Sequence, residues 1–498
     1  MNGLEQATGA RVADATATIM RTTVQPGFRV AELIPLLGAE LLSGSVEGRL
    51  EALSTDSRTV QPGDFFLALK GERFDGHAFV PAVLAGNAAG AIVAREAGRR
   101  MLNGLPIRRT LLGVDDPLRA LQQLGAAHRR RFALPVIGVT GSNGKTTTKE
   151  MTAAILSRRH AVHKTQGNLN SQIGLPMVLL GLTSVHEAAV LELGISRHGE
   201  LTRLCEVAAP TIGIITTIGP AHLESLGDLD GVRSAKAELL ESLPADGVAV
   251  LNRDEASFDW LRGRCRCRLV GFGESAGADV RSRILGIDQG EPPRQRIIVQ
   301  WDGGSAEARL PVIGVHFAVN AAAAVAAALV VGVGPEEIVS GLEAVRLPAM
   351  RSEIRPLPGG ARLLLDAYNA NPLSVRRALE TAAQLSGTGA IVAVLGDMLE
   401  LGPDAERWHD EVGRYAATLP VDRLVTVGAL AGRMADGAAA AGLAAESIER
   451  CADVESAAAL LERWMRAGEI RAGDVVLVKG SRGMRMERVL DMLTGRGA

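Results

Sequence analysis

The sequence predicts an α/β protein built from three domains with largely parallel sheets. Short apolar runs alternate with helical patterns along almost the whole chain, which is typical of βα units. The 498 residues also suit about three domains of roughly 100–200 residues each. We expect a loosely ordered extension at residues 1–27, followed by domains at residues 28–115, 116–346 and 347–498.

Strand and helix candidates follow in order along the middle of the chain. Apolar runs predict strands at residues 135–140, 189–193, 212–216 and 248–251. Helical periodicity predicts helices at residues 146–158, 232–241 and 320–331. A segment rich in Gly, Pro and Gln near residues 286–296 predicts a hairpin or a surface insertion.

A second α/β series begins after residue 348 and predicts a Rossmann-like C-terminal domain. Its predicted strands are residues 363–366, 390–395, 423–427 and 474–479. Its predicted helices are residues 374–383, 405–417 and 485–493. The region before about residue 115 is predicted to be a separate α/β unit.

Composition excludes several classes of protein. The 54 Lys and Arg residues nearly balance the 56 Asp and Glu residues, so nothing indicates a nucleic-acid-binding surface. No run of 18 or more strongly apolar residues predicts a membrane-spanning helix, and residues 1–27 lack the pattern of a signal peptide. The four cysteines are scattered, and the single residue between Cys265 and Cys267 does not suit zinc. We expect a reduced, cytoplasmic, monomeric enzyme without membrane insertion.

The most specific pattern is a phosphate-binding loop at residues 136–148, VIGVTGSNGKTTT. An apolar strand enters a glycine-rich turn, and Lys-Thr then opens a helix whose N-terminus favours anions. Lys145 would reach the β- and γ-phosphates, and the Thr146 hydroxyl would bind Mg²⁺. The usual pattern has glycine where Val139 stands, so a chance lysine after a glycine turn is the alternative. We predict a central domain with a P-loop ATPase-type sheet, whose loop residues for ATP are Thr140, Gly141, Ser142, Asn143, Gly144, Lys145, Thr146 and Thr147.

Three further polar side chains follow the strands of this predicted sheet. Glu192 ends a buried apolar strand, where a carboxylate is costly unless it is paired or binds a metal. His222 lies just past the next strand, where α/β sites assemble, although it is an unusual ligand for Mg²⁺. Lys236 lies on a predicted helix, and the alternative to a functional role is a surface pair with Glu238.

Taken together, these segments resemble the Mur ligase superfamily, the ATP-dependent amide-bond formers of peptidoglycan precursor synthesis. The loop, the Glu after an apolar strand, the His-Leu-Glu segment and the Ala-Lys helix occur in the family order. Residues 316–322, 394–402 and 478–487 extend the resemblance, which runs from about residue 50 to the C-terminus. The Tyr-Asn-Ala-Asn-Pro run at residues 368–372 is most similar to members that join D-alanyl-D-alanine to UDP-N-acetylmuramoyl-tripeptide.

The resemblance implies roles for each domain and its residues. The N-terminal domain would bind the UDP substrate, the central domain ATP, and the C-terminal domain the incoming dipeptide. Asn320 would contact adenine, Asp366 the ribose, and Arg351 the γ-phosphate. The implied substrate-binding residues are Ser57, Arg58, Asp75, His77, Asn168, Asn170, Tyr368, Asn369 and Asn371. Relatives more often carry Asn where Ser171 stands, so that position is not transferred.

The resemblance also implies a mechanism. The tripeptide carboxylate attacks ATP to form an acyl phosphate, and the D-alanyl-D-alanine amine then displaces phosphate. The implied cofactors are ATP, Mg²⁺ and a CO₂-derived carbamate on Lys236, since only a neutral lysine amine reacts with CO₂. The implied catalytic residues are Lys145, Glu192, His222, Lys236 and Arg351. The implied metal ligands are Thr146, Glu192, His222 and carbamylated Lys236.

Alternatives remain open at this stage. Another superfamily member is one, either the ligase that adds the third amino acid or folylpolyglutamate synthetase. An Asp-Asn-Pro-Arg motif, frequent in the third-residue ligase, does not occur in the sequence. A P-loop regulatory or scaffold protein is another alternative, and it would leave Glu192, His222 and Lys236 without a task. The sequence does not distinguish lysine from diaminopimelate as the third residue of the peptide.

Overall fold

The structure, a computed structural model, describes residues 21–71, 74–102 and 109–495. Three sheets are present in these ranges, and their parallel strands confirm the predicted α/β class. The chain forms two compact units. The first unit contains the residues up to Ala133, Lys164–His186 and Glu206–Ala208, and the second unit contains the rest. The predicted domain boundaries stay predictions.

The first unit contains a six-stranded sheet of order β1-β3-β4-β5-β6-β2. Strands β3 to β6 are parallel, and β1 and β2 pair antiparallel at the two edges. The strands are β1 (Arg21–Arg29), β2 (Glu40–Ser43), β3 (Arg49–Ser54), β4 (Phe65–Leu67), β5 (Gly90–Ala94) and β6 (Thr110–Val114). The helices are α1 (Val30–Leu37), α2 (Val80–Ala85), α3 (Arg95–Met101) and α4 (Pro117–Arg129).

The N-terminal strand differs from the expected extension. Strand β1 begins at Arg21, whose guanidinium donates to both carboxylate oxygens of Asp64 at 2.7 and 2.9 Å. Residues 21–27 lie within β1, where Arg21 to Thr23 pair with β3, so the expected loose order is wrong for them. The remainder of the expected extension, residues 1–20, lies outside the described residues.

The second unit contains a nine-stranded sheet of order β15-β14-β13-β12-β11-β10-β7-β9-β8. Its strands are β7 (Val136–Thr140), β8 (Val162–Lys164), β9 (Ala188–Glu192), β10 (Ile212–Ile215), β11 (Val248–Asn252), β12 (Arg268–Gly273), β13 (Val280–Asp288), β14 (Arg294–Trp301) and β15 (Gly304–Leu310). The helices of this stretch of chain are α5 (Lys145–Leu156), α6 (Gly174–Leu180), α7 (Glu200–Ala208), α8 (Leu223–Leu226), α9 (Leu229–Ser242), α10 (Phe258–Arg262), α11 (Val315–Val331) and α12 (Pro335–Glu343). The predicted hairpin near residues 286–296 is confirmed as the β13–β14 turn.

A second sheet of the same unit has the order β16-β17-β21-β18-β19-β20. Strand β16 is antiparallel and the other five are parallel. Its strands are β16 (Glu353–Pro356), β17 (Arg362–Asp366), β18 (Ile391–Gly396), β19 (Arg423–Val427), β20 (Ile448–Cys451) and β21 (Val475–Lys479). Its helices are α13 (Pro372–Ser386), α14 (Ala405–Ala416), α15 (Gly432–Ala440), α16 (Val454–Arg466) and α17 (Arg488–Leu493). The sequence prediction missed β16, α15, β20 and α16.

The parallel pairing of β7, β9 and β10 determines where polar residues meet. Thr140 lies opposite Ile215, and Val139 lies opposite Glu192. The carboxyl ends of these strands therefore share one edge, which is where ligands bind in open α/β sheets. Within the described ranges, no helix is long and apolar enough to cross a membrane.

Candidate active site

The loop between β7 and α5 requires glycine at two positions. Gly141 and Gly144 have φ of 147° and 80°, a region that disfavours other residues. A β-carbon at position 141 would lie 1.9 Å from Thr216 Oγ1, and one at position 144 would lie 2.6 Å from Asn320 Oδ1. The close approach also places Asn320, the predicted adenine contact, directly against the loop.

The residues that follow β10 hold this loop by hydrogen bonds. The Ser142 amide donates to the Thr217 carbonyl at 2.8 Å, and the Ser142 hydroxyl donates to the Gly219 carbonyl at 2.8 Å. The Asn143 amide donates to Thr217 Oγ1 at 3.1 Å, and the Thr216 hydroxyl donates to the Asn143 carbonyl. The loop is therefore preorganised by its own neighbours.

Lys145 folds back over the loop that precedes it. Its Nζ donates to the Gly141 carbonyl at 2.7 Å and to the Ser142 carbonyl at 3.3 Å. Loss of solvent lowers the pKa of Lys145, the charge of Arg351 lowers it further, and Glu192 opposes both effects. The ammonium group thus lies where a phosphate bound by the loop would meet it.

Thr146 and Glu192 form a buried hydroxyl–carboxylate pair beside the loop. Thr146 Oγ1 donates to Glu192 Oε2 at 2.8 Å, and each residue is only 3% exposed. Hard oxygen donors of this kind suit Mg²⁺. No group of three or more His, Cys, Asp or Glu side chains in the described part of the chain could hold a metal ion. A Mg²⁺ ion here would therefore need phosphate oxygens and water to complete its ligands.

His222 faces the C-terminal part of the second unit. It has a left-handed backbone with φ of 55°, and its Nδ1 lies 2.7 Å from Glu400 Oε2. The hydrogen bond from His222 lowers the pKa of Glu400. A carboxylate on one ring nitrogen is the usual orienting partner of a metal-binding histidine. Glu400 was not predicted from the sequence, since it lies 178 positions further along the chain.

Lys236 is a buried amine on α9, only 2% exposed. The expected surface partner is engaged elsewhere, because Glu238 accepts from the amides of Gly199 and Thr202 at 2.7 and 2.9 Å and so caps α7. Burial lowers the pKa of Lys236 well below its ordinary value, and the charge of Lys145 lowers it further. Both effects favour the neutral amine.

Arg351, from the segment before β16, lies close enough to the loop for its charge to lower the pKa of Lys145. Its guanidinium stacks 3.9 Å from the centre of the Tyr368 ring. Its neighbours Met350 and Ser352 have left-handed φ values of 62° and 49°. The unusual backbone on both sides gives Arg351 a defined direction at this junction.

Asp366 ends β17 and forms an ion pair with Lys479, whose Nζ lies 2.5 Å from Asp366 Oδ2. The same amine donates to the Asn369 carbonyl at 2.9 Å, and the Ser352 amide donates to Asp366 Oδ1 at 3.1 Å. Lys479 is thus a functional candidate that fixes Asp366 and the 366–369 segment. Its position as the last residue of the buried strand β21 was the signal for it in the sequence.

The predicted substrate residues of the first unit form local networks. His77 Nδ1 lies 2.6 Å from Asp75 Oδ1, and the Ala94 amide donates to His77 Nε2 at 2.9 Å. Both ring nitrogens are thus engaged, and the His77 hydrogen bond lowers the pKa of Asp75. Arg58 is exposed and pairs with Asp56 at 2.6 Å, and Ser57 is half-buried.

The loop that precedes α6 carries the predicted muramoyl-peptide residues. The Asn170 amide donates to the Asn168 carbonyl at 2.8 Å, so the two residues share one tight turn. Asn168 is exposed and Asn170 is half-buried. The turn therefore presents the Asn168 side chain at the surface of the first unit.

Two polar residues, one at the end of β11 and one shortly after it, were not predicted. Asn252 Nδ2 donates to the Thr216 carbonyl at 3.3 Å, which supports the threonine that holds the phosphate loop. Glu255 accepts a hydrogen bond from the Ile218 backbone. The pKa of Glu255 is raised to about 7, and burial is the largest cause. The charge of Asp254 also raises this pKa, and the charge of Arg377 lowers it. Their position after a strand at the ligand edge of the sheet is the signal that would have identified them.

Replacing Glu255 with glutamine is expected to stabilise the protein at pH 8 and to change little at pH 5. The folded pKa of about 7 lies above the ordinary value of 4.5, so the folded state binds more protons between these values. The free energy of unfolding should therefore fall as the pH rises from about 4.5 to about 7, by at most about 3 kcal/mol. Thermal unfolding of wild type and variant at both pH values measures the difference. Glu307→Gln, at an exposed strand position, is the control and should show no such pH dependence.

A glycine loop between strand and helix, a lysine folded over it and a carboxylate beside the following threonine define a P-loop nucleotide-binding enzyme of the α/β class. Comparison with known families narrows this class. Residues 139–328 match the Mur ligase middle domain, residues 350–482 match the Mur ligase glutamate ligase domain, and residues 49–129 match the Mur ligase family catalytic domain. The chain belongs to the Mur ligase family.

Individual relatives define the branch of the family. The chain is 36% identical over 441 residues to UDP-N-acetylmuramoyl-tripeptide--D-alanyl-D-alanine ligase of Bacillus subtilis, covering 89% of this chain and 92% of that protein. The crystal structure of MurF from Acinetobacter baumannii superposes with a TM-score of 0.84 at 35% identity, covering 94% of this chain and 99% of the other. MurF ligase from Thermotoga maritima in complex with ADP has a TM-score of 0.78 at 28% identity, with 89% and 98% covered.

Proposed function

We propose that the chain is an ATP-dependent carbon–nitrogen ligase that joins D-alanyl-D-alanine to UDP-N-acetylmuramoyl-tripeptide in peptidoglycan precursor synthesis. The reaction passes through an acyl phosphate of the tripeptide and releases ADP and phosphate. The single observation that carries this proposal is the Lys145, Thr146 and Glu192 arrangement in a chain similar to ligases of this name over nearly its whole length. The reaction is proposed to take place in the cytoplasm, where ATP is available.

The first chemical step brings together two anions, the tripeptide carboxylate and the triphosphate of ATP. The protein must therefore supply positive charge that is already in place. Lys145 provides an ammonium group within the loop, and Arg351 adds a guanidinium whose charge acts on Lys145. Thr146 and Glu192 would hold Mg²⁺, which neutralises phosphate charge when bound.

We also propose that Lys236 is carbamylated and contributes to a second cation site with His222. The neutral amine would attack CO₂, forming a nitrogen–carbon bond and releasing one proton, which leaves a carbamate anion. Burial favours the neutral amine that this step requires. The Lys145 cation, which disfavours a second positive charge nearby, would favour the resulting anion.

The remaining predicted residues are proposed to bind the substrates. In the first unit, His77 would act by holding the loop that carries Asp75, since both of its ring nitrogens are engaged. Tyr368 and Asn369 would bind the incoming dipeptide. Arg351 stacks on the Tyr368 ring and Lys479 donates to the Asn369 carbonyl, so both residues are held in place. Arg58 and Asn168 are exposed and available to the UDP-muramoyl substrate.

A coupled assay of phosphate release and amide formation across substrate pairs tests the function. UDP-N-acetylmuramoyl-tripeptides with lysine or diaminopimelate should each be offered with D-alanyl-D-alanine, L-alanyl-L-alanine or a single amino acid. We expect phosphate and amide in equal amounts only with a tripeptide and D-alanyl-D-alanine. Phosphate release with a UDP-muramoyl dipeptide plus the third amino acid would instead indicate the ligase that adds the third residue. Phosphate release with folate plus glutamate would indicate folylpolyglutamate synthetase. Nucleotide binding without release for any pair would indicate a scaffold protein.

A further inference from the structure

The phosphate loop and the first residues of α13 are joined by a pair of side-chain amides. Asn143 Nδ2 donates to Asn371 Oδ1 at 3.1 Å, and Asn371 Nδ2 donates to Asn143 Oδ1 at 2.9 Å. The two residues are 228 positions apart in the chain. Each amide both donates and accepts, so the pair is satisfied only when the two residues keep this alignment.

Asn143 is held firmly on its side of the pair. Its backbone amide donates to Thr217 Oγ1 at 3.1 Å, and its backbone carbonyl accepts from the Thr216 hydroxyl. It also lies next to Gly144, whose left-handed backbone starts α5. A change in the loop on phosphate binding would therefore reach the Asn143 side chain directly.

Asn371 is the N-cap of α13. Its side-chain Oδ1 accepts from the backbone amide of Ser374 at 2.9 Å, and its backbone amide donates to Ser374 Oγ at 3.0 Å. It follows Tyr368, which stacks beneath Arg351. A displacement of Asn371 would therefore move both the start of α13 and the 368–371 segment.

A second contact joins the same two elements. A β-carbon at Gly219 would lie 3.2 Å from Leu373 Cδ2 and 4.0 Å from Ser142 Cβ. Leu373 on α13 thus packs against the residue whose backbone holds Ser142 in the loop. The amide pair and this apolar contact lie side by side, so α13 follows the loop through two neighbouring interactions.

We propose that the Asn143–Asn371 pair positions the 368–371 segment for the incoming dipeptide according to the state of the phosphate loop. Besides the ATP and substrate contacts predicted for them individually, the two asparagines act together as positioning residues, and the contribution of the pair is to dipeptide use. The inference rests on the proposed function, because it assigns the dipeptide to this segment. The pair is uncharged, so it joins the loop to α13 without adding an anion beside the phosphate site.

A double-mutant cycle tests the proposal. Asn371→Ser removes the bridging amide but keeps a side chain that caps helices well, and Asn143→Ala removes the other half. We expect each single variant, and the double variant equally, to raise KM for D-alanyl-D-alanine about tenfold, since the second change removes nothing further. The Kd of Asn371→Ser for ADP should change less than about threefold, because Asn371 lies outside the phosphate loop. The proposal would be overturned if the two increases in KM multiplied in the double variant. It would also be overturned if Asn371→Ser weakened ADP binding and left KM for the dipeptide unchanged.

A matched control separates this coupling from loss of a helix cap. Asp453 caps α16 with Ser456 in the same reciprocal way, at 2.8 Å from Oδ1 to the Ser456 amide. Asp453→Ser should leave KM for the dipeptide unchanged, and a rise equal to that of Asn371→Ser would refute a specific role for the pair. If wild type ligates the dipeptide and the cycle is additive, only this inference fails. If wild type does not ligate it, the proposed function fails.

Discussion

Replacing Lys145 with methionine is expected to lower kcat/KM for ligation by about 10³-fold, the upper range for loss of one preorganised electrostatic contact. Methionine has a similar length and fills the same space, but it cannot donate to the Gly141 and Ser142 carbonyls or oppose phosphate charge. The effect should be large because the amine lies in a partly desolvated loop, where a charge acts more strongly than in water.

Steady-state phosphate release with both substrates and ATP measures this loss. Arg158→Met removes one positive charge at an exposed position just after α5 and should retain wild-type activity within about twofold. Retention of more than a tenth of wild-type kcat/KM by Lys145→Met would mean that the loop lysine does not act on the phosphates.

Replacing Lys236 with alanine is expected to lower kcat by at least about 10²-fold, with partial recovery in millimolar formate or acetate. A small carboxylate can occupy the space of the lost side chain and restore the anionic oxygens of the proposed carbamate. Lys236→Arg should be as inactive and should not recover, because its guanidinium fills the space, stays protonated and does not react with CO₂.

A readout besides activity is available for this proposal. Carbon-13 NMR of wild type equilibrated with labelled bicarbonate should show a carbamate signal that is missing in Lys236→Ala. Glu241→Gln, at an exposed position on the same helix, is the control and should keep both signal and activity. No carbamate signal in wild type, together with no recovery by short acids, would reject the carbamate.

Much of the phosphate site could be predicted because its signals are local. The strand, the glycine turn and the Lys-Thr helix start are contiguous, and only glycine suits the backbone at positions 141 and 144. Glu192 was identifiable because a carboxylate at the end of an apolar strand needs a partner. Its hydrogen bond with Thr146 provides that partner.

Other features depended on contacts between distant parts of the chain. Periodicity placed Glu238 beside Lys236, but Glu238 turns to the start of α7 because unsatisfied helix amides are there. The helix α6 belongs to the first unit, although β9, the strand that follows it in the sequence, belongs to the second. No local sequence pattern predicts the partner of Glu238 or the unit that contains α6, since both depend on which surfaces meet after the sheets have formed.

The sequence by itself determined the α/β class, the phosphate loop and the residue types at the ends of the strands, since these follow from periodicity, glycine geometry and the cost of burying charge. Only the tertiary structure decided which of these residues act together. Parallel pairing brought Glu192 beside Thr146, and contacts between loop residues of the second unit joined Asn143 to Asn371 and His222 to Glu400. Hydrogen bonds act over about 3 Å, so partners far apart in sequence become partners only when the fold brings them together.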